Sequence, residues 1–195
     1  VILEKTIYST IFDKKYESVE EFDSAIDSFV LNKFIETVEK SKMHDSKLIV
    51  STIRTRIDVM NILILLKLRI RKVPPLEQHQ LLIKNNSILN DKITDLIESE
   101  SLKDFVEVLR NTPYYELLEK ALENYEADDS LFHFENELYK YYHKSIVEKE
   151  LAHNLGPYPL MSYLVKKETE KRNLFIISRG IASSFTEQKI GEMLS

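Results

Sequence analysis

Apolar residues recur at helical spacing along most of the chain. In the clearest segment, Ser18 begins a capping box with Glu21, and one face of the following helix carries Phe22, Ile26, Phe29, Val30 and Phe34. Breaks between such segments fall at prolines and short polar stretches, as at residues 85–87 and 156–159. The pattern therefore predicts an all-α protein.

These signals predict ten helical segments. They are expected at residues 1–12, 18–41, 48–72, 76–84, 88–97, 102–110, 112–125, 130–153, 160–181 and 186–194. Thr112 is expected to cap the seventh segment, because the proline after it suits the first helical position. The first segment is short, and we interpret it as the tail of an element that begins before Val1.

The segment at residues 160–181 has a counterpart at residues 48–69. In both, a carboxylate precedes an asparagine by three residues, and an apolar run then ends at a cation. The two triplets are Asp58, Asn61 and Lys67, and then Glu170, Asn173 and Arg179, each pair of equivalent positions 112 residues apart. The flanking helices keep the same offset in their caps and apolar faces. The sequence therefore predicts two pseudo-repeated helical modules, a complete one at residues 87–195 and the C-terminal part of another at residues 1–86.

Composition limits the classes of protein to consider. With 195 residues, 43% of them hydrophobic, the chain is long enough to bury the core of one large or two modest domains. The three glycines and five prolines are few for β-hairpins or sandwiches. The net charge of −5 argues against a general nucleic-acid binder, and the lack of cysteine excludes disulfides and thiolate metal sites. The longest apolar run, residues 62–66, is far shorter than the ~20 residues that span a bilayer.

The familiar catalytic and cofactor motifs are absent from the sequence. It contains no His-Glu-x-x-His, no Gly-x-x-x-x-Gly-Lys and no Gly-x-Gly-x-x-Gly, so we predict no nucleotide cofactor and no catalytic residues. Glu150 and His153 have the spacing of a di-iron ligand pair, but such sites need two pairs and two further carboxylates. His133, His143 and His153 lie ten residues apart, about 15 Å along a helix, and cannot share one ion. We therefore predict no metal site.

The two polar triplets are open to two interpretations. A carboxylate and an amide three residues apart on one helical face could bind a ligand or a proton. Alternatively, they form interhelical hydrogen bonds that fix helix register, since polar groups buried in a bundle must be paired. Their presence in both modules favours the structural role, because each module needs its own internal hydrogen bonds whereas catalysis rarely needs the same site twice.

Three stretches resemble a known family. They are YLVKKETEKRNL at residues 163–174 with Arg179-Gly180 downstream, DVMNI at residues 58–62, and NTPY at residues 111–114. Together with the repeat and the helix order, they resemble the C subunit of archaeal and bacterial V/A-type rotary ATPases, which is called the d subunit in eukaryotic enzymes. Asp58 stands where the family pattern has Glu, and Lys67 stands where it has Arg.

The resemblance implies an all-helical funnel of three similar modules, of which this chain would cover the last and most of the middle one. It implies a non-catalytic coupling subunit, peripheral on the cytoplasmic face of the membrane, with the central stalk and the membrane rotor ring as partners in proton or sodium transport. It implies no cofactor, no nucleic acid and no small-molecule substrate. Two alternatives stay open, a helical metal- or ligand-binding bundle and a scaffold of an unrelated complex.

Tyrosines are the residues with which such a protein would be expected to meet its partners, since Tyr is enriched in interface cores. The candidates are Tyr139, Tyr141, Tyr142 and Tyr158. Tyr141 and Tyr142 share the apolar phase of Phe29 and Val30 in the first module, so we expect these two to pack internally.

Overall fold

The computed structural model of this protein describes residues 11, 14–41, 43–152 and 156–194. Within these residues the chain forms nine α-helices and one short 3₁₀ turn, with no strands, so the predicted all-α class is confirmed. The helices are α1 Val19–Lys40, α2 Ser46–Ile70, α3 Pro75–Leu81, α4 Ile93–Glu98, α5 Leu102–Val108, α6 Tyr115–Asp128, α7 Phe132–Ala152, α8 Tyr158–Ala182 and α9 Glu187–Met193. The segment predicted at residues 1–12 lies outside the described residues except for Ile11.

The chain divides into two compact units, Val1–Thr112 and Pro113–Ser195. The first unit contains α1 to α5 and the second contains α6 to α9. The repeat boundary predicted between residues 86 and 87 falls inside the first unit, so α4 and α5 belong structurally with the helices that precede them. That boundary stays a prediction about the sequence repeat.

In the first unit, α2 is the central helix. It packs against α1 and α3, and thirteen of its 25 residues are buried. Its most enclosed apolar side chains are Ile57, Ile62, Leu65 and Leu66. Burying such a side chain contributes about 1.5–3 kcal/mol, so α2 supplies a large share of this unit's core. The rest of the core comes from the segment that follows, through Leu89, Leu96, Phe105 and Leu109.

In the second unit, α7 is the central helix. It packs against α6 on one side and α8 on the other, and its enclosed side chains are Phe134, Leu138 and Ile146. Gly180 lets α9 approach α8 closely, because a Cβ at this position would lie 2.6 Å from Cγ1 of Ile190. Only five of the 25 residues of α8 are buried, which leaves much of this helix facing solvent.

The helix bounds follow the 112-residue offset. Moved by 112 residues, α2 coincides with α8 at both ends, α3 coincides with α9, and α1 ends where α7 ends. We call α1–α3 the first three-helix group and α7–α9 the second. The two groups therefore have the same order of helices with nearly the same lengths, one in each compact unit.

The turns that end α2 and α8 also correspond. Lys72 and Ser184 have positive φ angles of 55° and 57°. The next residue in each turn donates its N–H to a carbonyl five residues back, from Val73 to Leu68 at 3.0 Å and from Phe185 to Gly180 at 2.9 Å. This is a Schellman termination with a non-glycine residue in the left-handed position. Local geometry is thus repeated down to individual hydrogen bonds.

Two caps differ from the prediction. Ser18 accepts the Glu21 N–H at 3.1 Å as expected, but the Glu21 carboxylate accepts from the Glu17 N–H at 2.7 Å instead of closing the box on Ser18. The prediction that Thr112 caps the next helix is wrong. That helix begins at Tyr115, and the Thr112 hydroxyl donates backwards to the Leu109 carbonyl at 2.6 Å. The positive φ of Asn111, 68°, turns the chain before the proline can start a helix.

The helix expected at residues 88–97 is shorter than predicted. The structure has a 3₁₀ turn at Asn90–Lys92 and then α4 at Ile93–Glu98. Across the part of the chain that the structure describes, no helix is long and apolar enough to cross a membrane.

Candidate functional site

Asn61 pairs both polar atoms of its side chain with one backbone residue. It is 2% exposed, and its amide forms two hydrogen bonds with the backbone of Ile83. Nδ2 donates to the Ile83 carbonyl at 2.9 Å, and Oδ1 accepts from the Ile83 N–H at 2.9 Å. The side-chain amide of Asn61 thus pairs with the backbone of Ile83 as a peptide group of a neighbouring segment would. Asn61 therefore ties the chain after α3 to the middle of α2.

Two residues of α1 bind the same stretch of chain. Ser24 donates its hydroxyl to the Leu81 carbonyl at 2.6 Å, and Asn32 donates Nδ2 to the Lys84 carbonyl at 2.8 Å. Leu82, between them, is extended and cannot satisfy its own backbone groups within a helix. Ser24 and Asn32 were not predicted from the sequence. The available signal was polar residues at spacing four on α1, where Ser24, Ser28 and Asn32 share one face.

The other members of the first triplet lie apart from this contact. Asp58 is buried on α2, one turn before Asn61, whereas Lys67 is exposed near the end of the helix. The structure thus brings Asp58 and Asn61 to the buried side of α2 and leaves Lys67 at the surface. The cation of the triplet does not share their environment.

The second triplet is more exposed than the first. Glu170 lies at the surface and pairs with Lys167 of the same helix at 2.6 Å. Arg179 is exposed and stacks over the Phe175 ring, with its guanidinium carbon 5.0 Å from the ring centre. Asn173 is half-buried, and the residue equivalent to Ile83 is Ser195, outside the described residues. Equivalent residues in the two helices therefore lie in different environments.

Arg69 is a further anchoring residue that was not predicted from the sequence. One of its terminal nitrogens donates to the carbonyls of Leu96, at 3.2 Å, and Ser99, at 2.5 Å. Its guanidinium carbon also lies 5.6 Å from the centre of the Phe105 ring. Burial lowers the pKa of Arg69, and the charge of Asp104 opposes this shift. The cation lies at the carboxyl end of α4, where the helix dipole favours it. Arg69 therefore fixes α4 and α5 to the end of α2.

Arg172 has a comparable anchoring role in the second unit. Its guanidinium carbon is 5.0 Å from the Tyr139 ring centre and 5.6 Å from the Phe132 ring centre, both on α7. Nη1 also donates to Oδ1 of Asn136 at 3.5 Å, and burial lowers the pKa of Arg172. A cation stacked on desolvated rings contributes up to about 2 kcal/mol. Arg172 thus joins α8 to α7.

Among the described residues, the candidate metal ligands do not converge on one site. Glu150 pairs with Lys166 at 3.2 Å, and its pKa is lowered by the Ser162 hydroxyl and then by Lys166. Its predicted partner His153 lies outside the described residues. His133 lies 3.0 Å from both carboxylate oxygens of Asp128, and His143 bonds to Thr169 at 2.8 Å. Among the described residues, no three His, Cys, Asp or Glu side chains are arranged to hold a metal ion.

A groove of about 890 Å³ lies along α1 in the first unit. Its walls include Lys14, Lys15, Lys33 and Lys84 beside apolar groups such as Phe29 and Leu82. Glu21 and Glu36 also line the groove, so its charge is positive by two and suits an anion better than a cation. None of the six triplet residues is among those that line it, so this groove gives no support to the view that the triplets bind a ligand.

The four candidate tyrosines are mostly internal. Tyr158 and Tyr142 are buried, and Tyr141 is half-buried with its ring edge-to-face against Tyr114, the ring centres 5.7 Å apart. Tyr139 is half-buried beneath the Arg172 guanidinium. The expectation that Tyr141 and Tyr142 pack internally agrees with these contacts.

This geometry defines an all-α protein with two corresponding three-helix groups, whose polar side chains hold helices and connecting chain in place. Comparison with known proteins agrees with that class. The family model described as ATP synthase (C/AC39) subunit matches residues 1–193. The chain belongs to this family.

Curated relatives agree with the family match. The chain is 29% identical to the C subunit of the A-type ATP synthase of Methanococcoides burtonii over 98% of its own length and 57% of the relative's. It is 26% identical to that of Methanobrevibacter smithii, covering 98% of this chain and 52% of the relative, and 25% identical to that of Pyrococcus furiosus, covering 100% and 53%. The chain therefore spans about half the length of the curated relatives it matches. No solved structure matches the chain significantly.

Proposed function

We propose that this chain is part of a non-catalytic coupling subunit of a rotary ATPase or ATP synthase. In this role it links the central stalk to the membrane rotor ring while protons or sodium ions are transported. The observation that carries the proposal is the family match over residues 1–193, supported by relatives named as C subunits of A-type ATP synthases. The protein would lie at the cytoplasmic face of the membrane, bound to the ring without spanning the bilayer.

The contacts within each unit support a mechanical role. A protein that transmits torque must resist bending, and α2 and α8 are each 25 residues, about 37 Å, long. Asn61, Arg69 and Arg172 hold neighbouring elements to these two helices at points where breaking the contact would leave buried polar groups unpaired. Asn61, one of the six triplet residues, thus supports rigidity together with Arg69 and Arg172, which lie outside the triplets.

The repeat also supports this role. We propose that residues 1–86 and 87–195 are two of three similar modules, which together form a funnel that receives the foot of the stalk. The shared bounds of the two three-helix groups are what one expects of duplicated modules. In this arrangement the six triplet residues are structural and the chain carries no catalytic residue.

The test is coupling in the assembled complex. An A-type complex reconstituted without this protein should retain ATP hydrolysis in its catalytic head but lose ATP-driven ion pumping into vesicles. Adding the full-length protein should restore pumping and retain both stalk and ring subunits through affinity purification. Normal pumping without it would contradict the proposal.

The two alternatives have their own readouts. A metal- or ligand-binding bundle would show a stoichiometric transition metal on elemental analysis of the purified full-length protein, or an activity independent of the complex. A scaffold of an unrelated complex would retain partners other than stalk and ring subunits. Either result, together with unchanged pumping, would replace the coupling role.

A further inference from the structure

The connection between α3 and α4 has an inverted arrangement of polar and apolar side chains. Asn85 is half-buried, and both polar atoms of its side chain, Oδ1 and Nδ2, are enclosed. Ile88, three residues later, is 53% exposed. A surface connection normally turns its amides towards water and its aliphatic side chains inward. We call residues 85–88 the junction segment.

The enclosed amide of Asn85 is unpaired. Within the part of the chain that the structure describes, neither Oδ1 nor Nδ2 of this residue has a hydrogen-bond partner. Asn61, by contrast, pairs both atoms of its amide with the backbone of Ile83. An enclosed amide without a partner loses its hydrogen bonds to water and gains none in return, so the observed position of Asn85 costs free energy.

Ile88 has the opposite mismatch. A single exposed isoleucine is ordinary on a protein surface. Here, however, the same four residues enclose a polar group and expose an apolar one. An arrangement that exchanged the two would gain hydration of the Asn85 amide and burial of the Ile88 side chain together. Such a conflict between residue type and position is a mark of a segment with a second accessible arrangement.

The chain is held on both sides of the junction segment. Before it, Asn61 binds the backbone of Ile83, and Asn32 donates Nδ2 to the Lys84 carbonyl at 2.8 Å. After it, the side chain of Leu89 is fully enclosed. These anchors confine any rearrangement to the four residues between them, so the segment can move without unfolding of α3 or α4.

We propose that the junction segment is a two-state connection that opens locally. In the closed arrangement, which the structure shows, the Asn85 amide is enclosed and Ile88 is exposed. In the open arrangement the Asn85 amide reaches water and Ile88 packs inward, while the anchors at Ile83, Lys84 and Leu89 hold. The two arrangements differ in how the first three-helix group continues into α4 and α5. This inference goes beyond the coupling role and does not rest on it.

Native-state proteolysis tests the opening. Lys84 is exposed, so the Lys84–Asn85 bond is a trypsin site at the edge of the junction segment. Its cleavage rate in the folded protein follows the population of the open arrangement. Mass spectrometry of the full-length protein measures the fragments that end at Lys84. Each rate is divided by that of a peptide of residues 80–92 with the same substitution, which removes the effect of sequence on trypsin itself.

Asn85→Leu tests the cost of the enclosed amide. Because the closed arrangement of this variant no longer encloses an unpaired polar group, cleavage after Lys84 should fall at least about fivefold, and the unfolding midpoint in urea should rise. The matched control is Asn86→Leu, at the exposed neighbouring position. Its cleavage should stay within about twofold of the wild type.

Two further variants test the exchange of the two side chains. Ile88→Ser changes an exposed position of the closed arrangement but removes the apolar burial that favours the open one, so cleavage should also fall. Asn85→Asp keeps the shape of the side chain and adds a charge. A carboxylate costs more to enclose than an amide, so cleavage should rise in this variant.

Three results would overturn the inference. Unchanged cleavage in either Asn85→Leu or Ile88→Ser would show that the two side chains do not control opening. A lower unfolding midpoint in Asn85→Leu would show that the amide is paired in solution. Wild-type cleavage after Lys84 that rises with urea as steeply as global unfolding does would show that the bond opens only when the whole unit unfolds.

Discussion

The helices α2 and α8 are equal in length and correspond residue by residue, but they differ in how much they bury. Thirteen residues of α2 are enclosed, against five of α8. Both end in the same Schellman turn, and each is followed by a seven-residue helix. The two helices therefore share their length and their terminating turn, while the neighbouring elements fixed which faces are covered.

The polar triplets show the same contrast in burial between α2 and α8. Asp58 and Asn61 are buried in α2, whereas Glu170 pairs with Lys167 on the surface of α8. The same pattern of residue types thus forms an internal contact in one helix and a largely exposed face in the other. Substitutions at equivalent positions of the two helices should therefore have unequal effects.

Truncating the core of α2 should give the largest effect. Ile62→Ala removes a fully enclosed side chain and should lower the free energy of unfolding by about 3 kcal/mol. The equivalent Leu174→Ala, at an exposed position of α8, should change it by less than about 0.5 kcal/mol in the isolated protein. Urea denaturation followed by circular dichroism measures both. Equal losses would show that the Leu174 side chain is buried in solution.

Removing the amide of Asn61 should give the next effect. Asn61→Ala leaves the N–H and carbonyl of Ile83 without their partner and should destabilise the protein by about 2 kcal/mol. Amide exchange at Ile83 should accelerate in this variant. Asn173→Ala, at the half-buried equivalent position, should cost less. A larger loss at Asn173 would reverse the proposed difference between the two helices.

Replacing Arg69, the cation at the end of α2, should lower the free energy of unfolding by somewhat less than Asn61→Ala does. Arg69→Met keeps the length of the side chain but removes the hydrogen bonds to the Leu96 and Ser99 carbonyls, for a loss of about 1.5 kcal/mol. Ile181→Met, at the equivalent exposed position, should stay within about 0.5 kcal/mol of the wild type. If the two variants unfold at the same urea concentration, Arg69 does not anchor α4 and α5.

The smallest effect concerns Glu36 on the surface of α1. Hydrogen bonds from Lys33 and then Lys40 lower the pKa of its carboxyl to about 2, whereas the equivalent Glu148 has one lysine partner, Lys144 at 3.8 Å. Because the pKa is depressed in the folded state, its stabilisation is present above the ordinary value of 4.5 and is lost as pH falls towards 2. Carboxyl-carbon NMR titration should give a midpoint near 2.

The matched variant checks the cause of that shift. In Lys33→Met/Lys40→Met the midpoint of Glu36 should rise towards its ordinary value, since both cationic donors are gone. If the titration midpoint of Glu36 stays near 2 in this variant, groups other than the two lysines lower its pKa.

Much of the fold was predictable because its determinants are local. The first residues of α1, α3 and α9 follow from Ser18, Pro75 and Thr186, each of which acts within one helical turn. Thr112 failed as a cap because its hydroxyl had a nearer acceptor, the Leu109 carbonyl. The Thr112 hydroxyl could either cap the following helix or donate to the Leu109 carbonyl. The backbone geometry decides between the two, and the sequence pattern does not show that geometry.

The polar contacts were only partly predictable. Asn61 stood out because it recurs as Asn173, but its two hydrogen bonds join α2 to the non-helical chain at Ile83 instead of joining two helices. Ser24, Asn32 and Arg69 did not stand out, because their partners are backbone carbonyls between 27 and 57 residues away. A backbone acceptor carries no residue identity, so no sequence motif marks it.

Residue types alone were enough to predict the all-α class, the helix order, the 112-residue repeat and the resemblance to the ATP synthase (C/AC39) subunit family, since periodicity, caps and motifs act at short range along the chain. Which copy of the repeated helix is enclosed became visible only in the folded molecule. Burial depends on what packs against a face, and equivalent residues such as Ile62 and Leu174 have the same helical phase with different neighbours. The packed neighbours of each helix therefore decided a property that its own residue pattern did not.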